Sequence, residues 1–506
     1  VILRAVVFLG NWLAFLVIFR SQPLYDPGAL WHVRVGEWIF AHGFPHHDPF
    51  SWSYADHSWI PQQWAGECAM ALLHRFGGYD TLLLALTTMM AGLATWLTER
   101  FVRTGLHPIL AIGFVSFGMV VAGFHFYLRP HMVTMVLMAL VMAWIVDFER
   151  KRIGIRRWIW FIPLCAVWTN IHGGVLGGIF TVGLALTGWV TLYIWRRLLA
   201  RDTDDLPTGM GWLALIVALS AASTLVNPFG LEMHRTWWSI VGSKVLPRMI
   251  DEHMPLNPAQ TQGQAVLGFG IFYLLMLAGT LPNQLRVSWY IPVIWLALSI
   301  QSIRHGPLFC ITALVALADL FPETIWYRLI KKYGDTFIRE PNPAPPARAS
   351  WVIPVLAVAL ALGLQMARVK VPIIGTGWAR FDPKMVPIEM IEPIQEYARS
   401  KPDGFPIFND ANFGGFLMYY APNLRVFMDD RCELYGDEGL LKYSELMNDH
   451  PERIELLTQK TPFDRALVAN GSDMDRYLKG AKQWREVARC QRAVLYERLG
   501  EGTSVP

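Results

Sequence analysis

The sequence predicts an α-helical polytopic membrane protein with a C-terminal extracytoplasmic α/β domain. Three observations lead there. Apolar residues make up 53% of the 506 residues. Charged residues make up 17%, against about a quarter in a soluble domain. Long apolar runs recur along the chain until Met366 and then cease. A disordered chain is excluded, because this much apolar surface outweighs the cost of ordering it. A disulfide scaffold is excluded too, because five Cys in this length are sparse and odd in number. The net charge of +4 is not read as a nucleic-acid footprint, since cytoplasmic loops of membrane proteins carry such an excess.

Runs approaching the length of a hydrocarbon core begin with Ile2 to Phe19, read as an anchor because no small-residue cleavage site precedes Ser21. They continue with Thr81 to Leu97, Pro108 to Ala122, Met132 to Val146 and Trp158 to Trp168. Val175 to Ile194, Trp212 to Val226, Ala265 to Leu281, Val287 to Ile300, Pro307 to Phe321 and Trp351 to Met366 complete about eleven spans. Trp158 to Trp168 is the weakest of these. With the N-terminus inside, alternate loops hold about sixteen Lys and Arg, against about seven in the opposite set. That bias orients the chain N-terminus in, with the C-terminal segment outside. The expected organisation is a membrane domain over 1–367 and an outer α/β domain over 368–506. The membrane domain includes outer loops at 21–80 and 226–262. A Pro-rich inner linker from Glu340 to Pro346 precedes the last span.

Polar residues gather at the outer turns. Asp26 and His32 follow the first span. Arg129-Pro130-His131, Asn170-Ile171-His172-Gly173-Gly174, Asn227-Pro228-Phe229-Gly230 and Arg304-His305 mark four more connections. Ionisable groups at membrane depth are costly and are usually functional. Helix ends are also polar because they meet water, and tight turns explain the Gly and Pro. Neither accounts for Arg beside His at two outer turns. Gly173, Gly174, Gly177 and Gly178 carry the spacing of close helix packing.

In the first outer loop, Asp26 is placed to cap a helix that starts at Pro27. Trp31, Val35, Trp38 and Ile39 then share one face, as on a helix lying in the membrane surface. Arg34 and Glu37 have the spacing to pair with each other. A second amphipathic helix is expected from about Gln62 to Arg75. His46, His47, Asp48 and His57 form a polar cluster whose spacing matches no closed zinc site. A hydrogen-bonded loop is the favoured reading there.

These residues carry a resemblance. Asp26-Pro27, Leu30-Trp31-His32, Gly36-Glu37-Trp38-Ile39, His47-Asp48-Pro49-Phe50-Ser51 and Leu128-Arg129-Pro130-His131 resemble a family of bacterial polytopic membrane proteins. Trp168 to Gly174, Asn227 to Gly230, Phe408-Asn409-Asp410, Gly414-Gly415-Phe416-Leu417 and Val426 to Arg431 extend the likeness over most of the chain. That family is similar to the GT-C glycosyltransferase superfamily, which includes protein mannosyltransferases and lipid A aminoarabinose transferases. The resemblance implies a GT-C-like fold and transfer of a sugar from a polyprenyl-phosphate carrier at the outer face of the inner membrane. It implies that Asp26 is the general base and that Arg129 and Arg304 meet the phosphate, supported by His131, His172 and His305. His32, Arg34, Asp48 and Asn170 complete the expected substrate-binding set. Pro-Gly follows Asp26 where the superfamily has further acid, so the need for a divalent metal stays open and no ligand set is assigned.

Beyond Val371 the sequence turns to a soluble α/β pattern. Strands are expected near Pro406–Asn409, Arg425–Met428, Asp464–Ala469, Trp484–Ala488 and Ala493–Tyr496. Helices are expected over Pro387–Arg399, Gly439–Asn448 and Pro451–Leu457. Asn409-Asp410 and Asp429-Asp430-Arg431 each follow a strand, where open α/β sheets bind ligands. Polar caps are an equal reading. The expected partners are a polyprenyl-phosphate-linked sugar, membrane lipids, an acceptor glycan, lipid or protein, and other membrane subunits, with no nucleic acid. Two alternatives stand beside the enzyme: a non-catalytic scaffold of a membrane complex, and a transporter or flippase. The last calls for internal repeats and mid-membrane charge, and the sequence shows neither.

Overall fold

The computed structural model describes residues 2–203, 206–280, 286–341, 348–371 and 377–499. Most of the Pro-rich linker, 342–346, lies outside the described residues, as does Leu281. The helical body comprises α1 (Ile2–Leu13), α2 (Gly28–His42), α3 (Trp64–Arg103), α4 (Pro108–Ala122) and α5 (His131–Glu149). It continues through α6 (Phe161–Ile171), α7 (Val175–Leu198), α8 (Met210–Ser223), α9 (Leu231–Gly242) and α10 (Leu246–Met249). The rest are α11 (Thr261–Ala278), α12 (Ile291–Gln301), α13 (Gly306–Leu320), α14 (Ile325–Tyr333) and α15 (Val352–Met366).

Among the described residues, six helical stretches are long and apolar enough to cross a membrane: Trp64–Arg103, Pro108–His125, His131–Glu149, Val175–Leu198, Thr261–Ala278 and Ile303–Glu323. Ile2–Ile18, Met210–Ser223, Val287–Gln301 and Val352–Met366 are shorter apolar helices. The short run at Trp158 to Trp168 belongs to neither group. A 3-10 stretch, Ile155–Trp160, runs straight into α6. Together they link Arg157, stacked on Trp144, with His172 at the opposite end of the body.

α13 is buried along its whole length and forms the axis of the body. The two ends of the body differ. At one, Arg150 pairs with Asp319 and Glu323, both at 3.0 Å, and Arg100 pairs with Asp147 at 3.2 Å. Buried Glu149 accepts from Trp189 Nε1 and from the backbone of Val287 and Ser288. Those acids and bases neutralise one another. The other end gathers the turns that hold Asp26, Arg129, His172 and Arg304, together with the C-terminal domain.

Two expectations about the first loop change. The amphipathic helix near Gln62 is the first part of α3, continuous with the next span through a break at Gly77-Gly78. Gly78 has φ of +63°, a conformation that favours glycine. α2 does not lie half-exposed on a surface: Gly28 to Val33, Val35 and Gly36 are all buried. α3 covers one side so closely that a Cβ on Gly36 would stand 2.1 Å from Glu67 O. The C-terminal domain covers another side.

That domain holds a five-stranded sheet of order β2-β1-β3-β5-β4. Its strands are β1 (Phe405–Asn409), β2 (Leu424–Val426), β3 (Arg465–Ala469), β4 (Trp484–Arg489) and β5 (Ala493–Arg498). β1 is parallel to β2 and β3, and β5 runs antiparallel to β3 and β4. The helices are α16 (Ile391–Arg399), α17 (Gly414–Tyr420), α18 (Cys432–Ser444), α19 (Ile454–Lys460) and α20 (Asp473–Gly480). The domain is not free-standing. The first outer loop pairs with the open edge of β2: Val426 N donates to Phe50 O at 3.0 Å and Trp52 N to Val426 O at 2.9 Å. α17 seats on α2, where Gly415 lies so near Pro27 O that a Cβ would be 2.7 Å from it.

Candidate active site

Asp26 sits between the first span and α2. Leu128 N donates to Pro23 O at 2.9 Å, which zips the first outer loop to the turn before α5. Arg129 then reaches Asp26 with Nε and Nη2, one to each carboxylate oxygen. A bidentate pair of this kind is strong and directional. Gly28 leaves room for it: a Cβ there would stand 2.6 Å from Arg129 Nε and 2.7 Å from Asp26 Oδ2. Capping explains little of Asp26. α2 has no side-chain cap, and Asp26 keeps a single backbone contact, from Gly28.

Arg129 is shared among three carboxylates. Its Nη1 lies 3.6 Å from Glu252 Oε1, and its Nη2 lies 3.5 Å from Asp430 Oδ2. Glu252 comes from the connection between α8 and α11. Leu256 N to Ile300 O (3.1 Å) and Ile303 N to Met254 O (3.0 Å) hold that loop against the end of α12. The same fastening sets His253 on Arg304, whose Nη1 donates to His253 Nε2 at 2.8 Å. Asp430 follows β2, at the carboxyl end of a parallel strand. The C-terminal domain therefore completes the cluster.

Burial and charge act differently on each group. Burial pushes the Asp26 carboxyl up, against the pull of Arg129. Burial also raises Asp430, to about 7, with Asp26 and Asp429 adding to the rise and Arg129 opposing it. Glu252 is held below the usual carboxylate range: burial opposes this, but Arg129, His125, Arg304 and His253 prevail. Burial, and then Arg304, lowers His172 to about 3 and His253 to about 4. The histidines are neutral at pH 7, and Arg129 and Arg304 supply the fixed positive charge.

His131 joins the cluster: its Nε2 donates to His125 O at 3.0 Å, and the two rings stand 4.7 Å apart. His172 lies beside them, 6.1 Å from the His131 ring. Its Nδ1 accepts from Gly174 N at 2.9 Å and faces Thr134 Oγ1 at 3.0 Å. That arrangement leaves the proton on Nε2. His305 contacts Leu298 O at 3.3 Å through Nδ1. His32 is enclosed and faces Glu67 Oε1 at 3.0 Å.

Three expected site residues have other work. Asp48 is fully buried, accepts from Phe50 N and Ser51 N, and pairs with Arg431 at 2.7 Å. Arg431 also pairs with Asp429 at 2.6 Å, with none of the three side chains exposed beyond 1%. This locks the first outer loop to the sheet instead of facing a ligand. Asn170 uses its amide on Trp64 Nε1, Ala166 O and Val226 O, at 2.7 to 2.9 Å. Arg34 pairs with Glu37 at 3.3 Å along α2.

The expected set omits Glu252, His253, His125 and Asp430. Asp251-Glu252-His253 is a charged stretch in the loop between α8 and α11, and Asp429-Asp430-Arg431 is a post-strand motif. Nothing local in either pointed to Arg129. Among the described residues, no group of three or more His, Cys, Asp or Glu is placed to hold a metal ion.

A many-helix apolar body, a buried helix after the first span and a sheet domain seated at one end make a fold similar to that of solved GT-C glycosyltransferases. Solved structures carry that likeness. The chain is similar to ArnT from Cupriavidus metallidurans bound to undecaprenyl phosphate, at TM-score 0.51 and 14% identity over 97% of each chain. It is also similar to the oligosaccharyltransferase of Archaeoglobus fulgidus tethered with an acceptor peptide. There the TM-score is 0.50 and the identity 10%, over 92% of this chain and 69% of that one. At such identities the likeness is one of fold. No protein-family model matches the chain, and no curated protein sequence does.

Proposed function

We propose that this protein is a membrane glycosyltransferase that moves a sugar from a polyprenyl-phosphate donor to an acceptor at the outer face of a bacterial inner membrane. The observation that carries the reading is the Asp26–Arg129 pair. It sits where outer turns of the body and the C-terminal domain converge. The ArnT bound to undecaprenyl phosphate supports the donor class. The loop bias of Lys and Arg supports an N-terminus in the cytoplasm and a periplasmic C-terminal domain.

The chemistry is an inverting displacement. Asp26 takes the proton of the acceptor hydroxyl. The oxygen attacks the anomeric carbon, and the bond from that carbon to the phosphate oxygen breaks, its electron pair leaving with the lipid phosphate. Arg129 and Arg304 face that developing charge. In the resting site Arg129 holds both oxygens of Asp26. A phosphate that draws Arg129 to itself therefore also releases the base.

The test is sugar release from a panel of polyprenyl-phosphate sugars by the wild type and Asp26→Asn. The expected result is turnover of one donor by the wild type and a loss of at least about 100-fold in the variant. Equal rates would end the assignment of Asp26. A folded wild type that turns over no donor would favour the scaffold reading.

A further inference from the structure

A concave site lies outside the charge cluster. A cavity of about 200 Å³ opens between three segments distant in sequence: Ser58 and Trp59 of the first outer loop, Glu232, Arg235 and Thr236 on α9, and Glu433 on α18. None of Asp26, Arg129, Glu252, Arg304 or Asp430 lines it. Its walls are tied to one another. Arg431, two residues before Glu433, stacks on Trp59 with 4.4 Å to the ring centroid and is locked by Asp48 and Asp429. The end of α9 is held to α18 through Asp437, which accepts from Ser243 Oγ at 2.5 Å and from Lys244 N at 3.1 Å. Sites of this kind bind without first paying for order.

The lining chemistry narrows the ligand. Two carboxylates, one guanidinium, two hydroxyls and an indole surround the space, with Ile60 as the aliphatic member. Carboxylates accept from paired hydroxyls, while guanidinium and hydroxyl groups donate to ring and hydroxyl oxygens. Two acids against one base disfavour a phosphate. At about 30 Å³ per water, the volume suits one sugar ring rather than an extended chain. The placement adds a functional argument. Asp430 faces Arg129 and Glu433 lines the cavity, only three residues apart on one segment, so the cavity and the charge cluster share a wall element.

We propose that this cavity binds a neutral monosaccharide unit of the acceptor, so that the acceptor is a glycan. This rests on the glycosyl-transfer reading. The ring is held through Glu433, Glu232, Arg235 and Thr236.

Saturation-transfer NMR on the full-length purified protein tests this, with methyl glycosides of glucose, galactose, mannose and N-acetylglucosamine as probes. Undecaprenyl phosphate binding is measured in parallel. Variants are Glu433→Gln, which removes the charge, and Thr236→Leu, which fills the space, each checked for unchanged thermal unfolding. At least one glycoside is expected to bind the wild type and to weaken at least tenfold in both variants, with undecaprenyl phosphate binding unaltered. If no glycoside binds, or binding is equal in all three proteins, while undecaprenyl phosphate still binds, the subsite is refuted and the donor reading stands. If the folded wild type binds no undecaprenyl phosphate, the donor reading itself fails.

Discussion

Replacing Asp430 with Asn isolates one proton in the cluster. Asp430 lies 3.5 Å from Arg129 and shares it with Asp26 and Glu252. Asp429 and the Trp31 indole also face it. Burial raises its carboxyl to about 7, so its ionised fraction goes from about 10% at pH 6 to about 90% at pH 8. An anionic donor binds the protonated form better, because one negative charge beside Arg129 is then gone. If only that form binds, wild-type affinity falls about tenfold between pH 6 and pH 8. The Asn variant mimics the protonated form and holds its affinity across the range. The ligand must be a polyprenyl-phosphate sugar: a diester does not titrate in this window, whereas a phosphate monoester has a pKa near 6. Calorimetric titration of both proteins at five pH values reads the effect. Stability supplies a second readout. A carboxyl raised on folding contributes stability that is full below its unfolded value and is lost as pH rises through about 7. The wild type is therefore expected to lose up to ~4 kcal/mol over that span, and the variant is not. Equal pH dependence of affinity in the two proteins would refute this account of the cluster.

Three further outcomes are expected. Arg431→Met leaves Asp48 and Asp429 buried without their partner, at a cost of about 3–5 kcal/mol; a loss under ~1 kcal/mol in denaturant unfolding would mean that the loop and the sheet are held together by other contacts. Gly28→Ala drives a methyl group into the Asp26–Arg129 pair and should lower transfer at least tenfold with folding retained, whereas Gly10→Ala, with open space around its Cβ, should not; equal effects would remove the steric argument. A reporter fused after Arg368 should read out as periplasmic, and a cytoplasmic signal would reverse the proposed orientation.

The helices and strands were legible because each depends on a local pattern. Among the described residues, ten of the apolar runs lie in apolar helices, six of them in stretches long enough to cross a membrane, and five alternating or buried segments became strands within a residue or two of the expected ends. Periodicity and turn residues decide such elements without distant information. α2 shows the limit. Its Trp31, Val35, Trp38 and Ile39 face was read as a membrane-surface face, because one helix cannot reveal what packs on it. α3 covers the side of His32 and Gly36 through Glu67, and α17, nearly 400 residues further on, seats against Pro27 and Trp31.

The candidate site divides the same way. Asp26, Arg129 and Arg304 stood out because a charge between apolar runs is costly wherever it lies. Asp430 did not, because a carboxylate after a strand in a soluble domain has an ordinary explanation as a cap. Its importance comes from the seating of that domain, which Gly415, the Phe50–Trp52 edge pairing and the Asp48–Arg431–Asp429 triad impose together. The triad also gives Asp48 a structural part. It shares a loop with site residues and is more buried than Asp26, yet it accepts from two backbone groups and one guanidinium that no substrate can displace without unfolding the joint. Asp26 is held by one arginine and a single backbone contact from Gly28, and that arginine is contested by two more carboxylates. Burial therefore does not separate a structural acid from the proposed base here. What separates them is what else holds the acid: Asp48 keeps two backbone donors besides its guanidinium, whereas Asp26 keeps one beside a guanidinium that Glu252 and Asp430 contest.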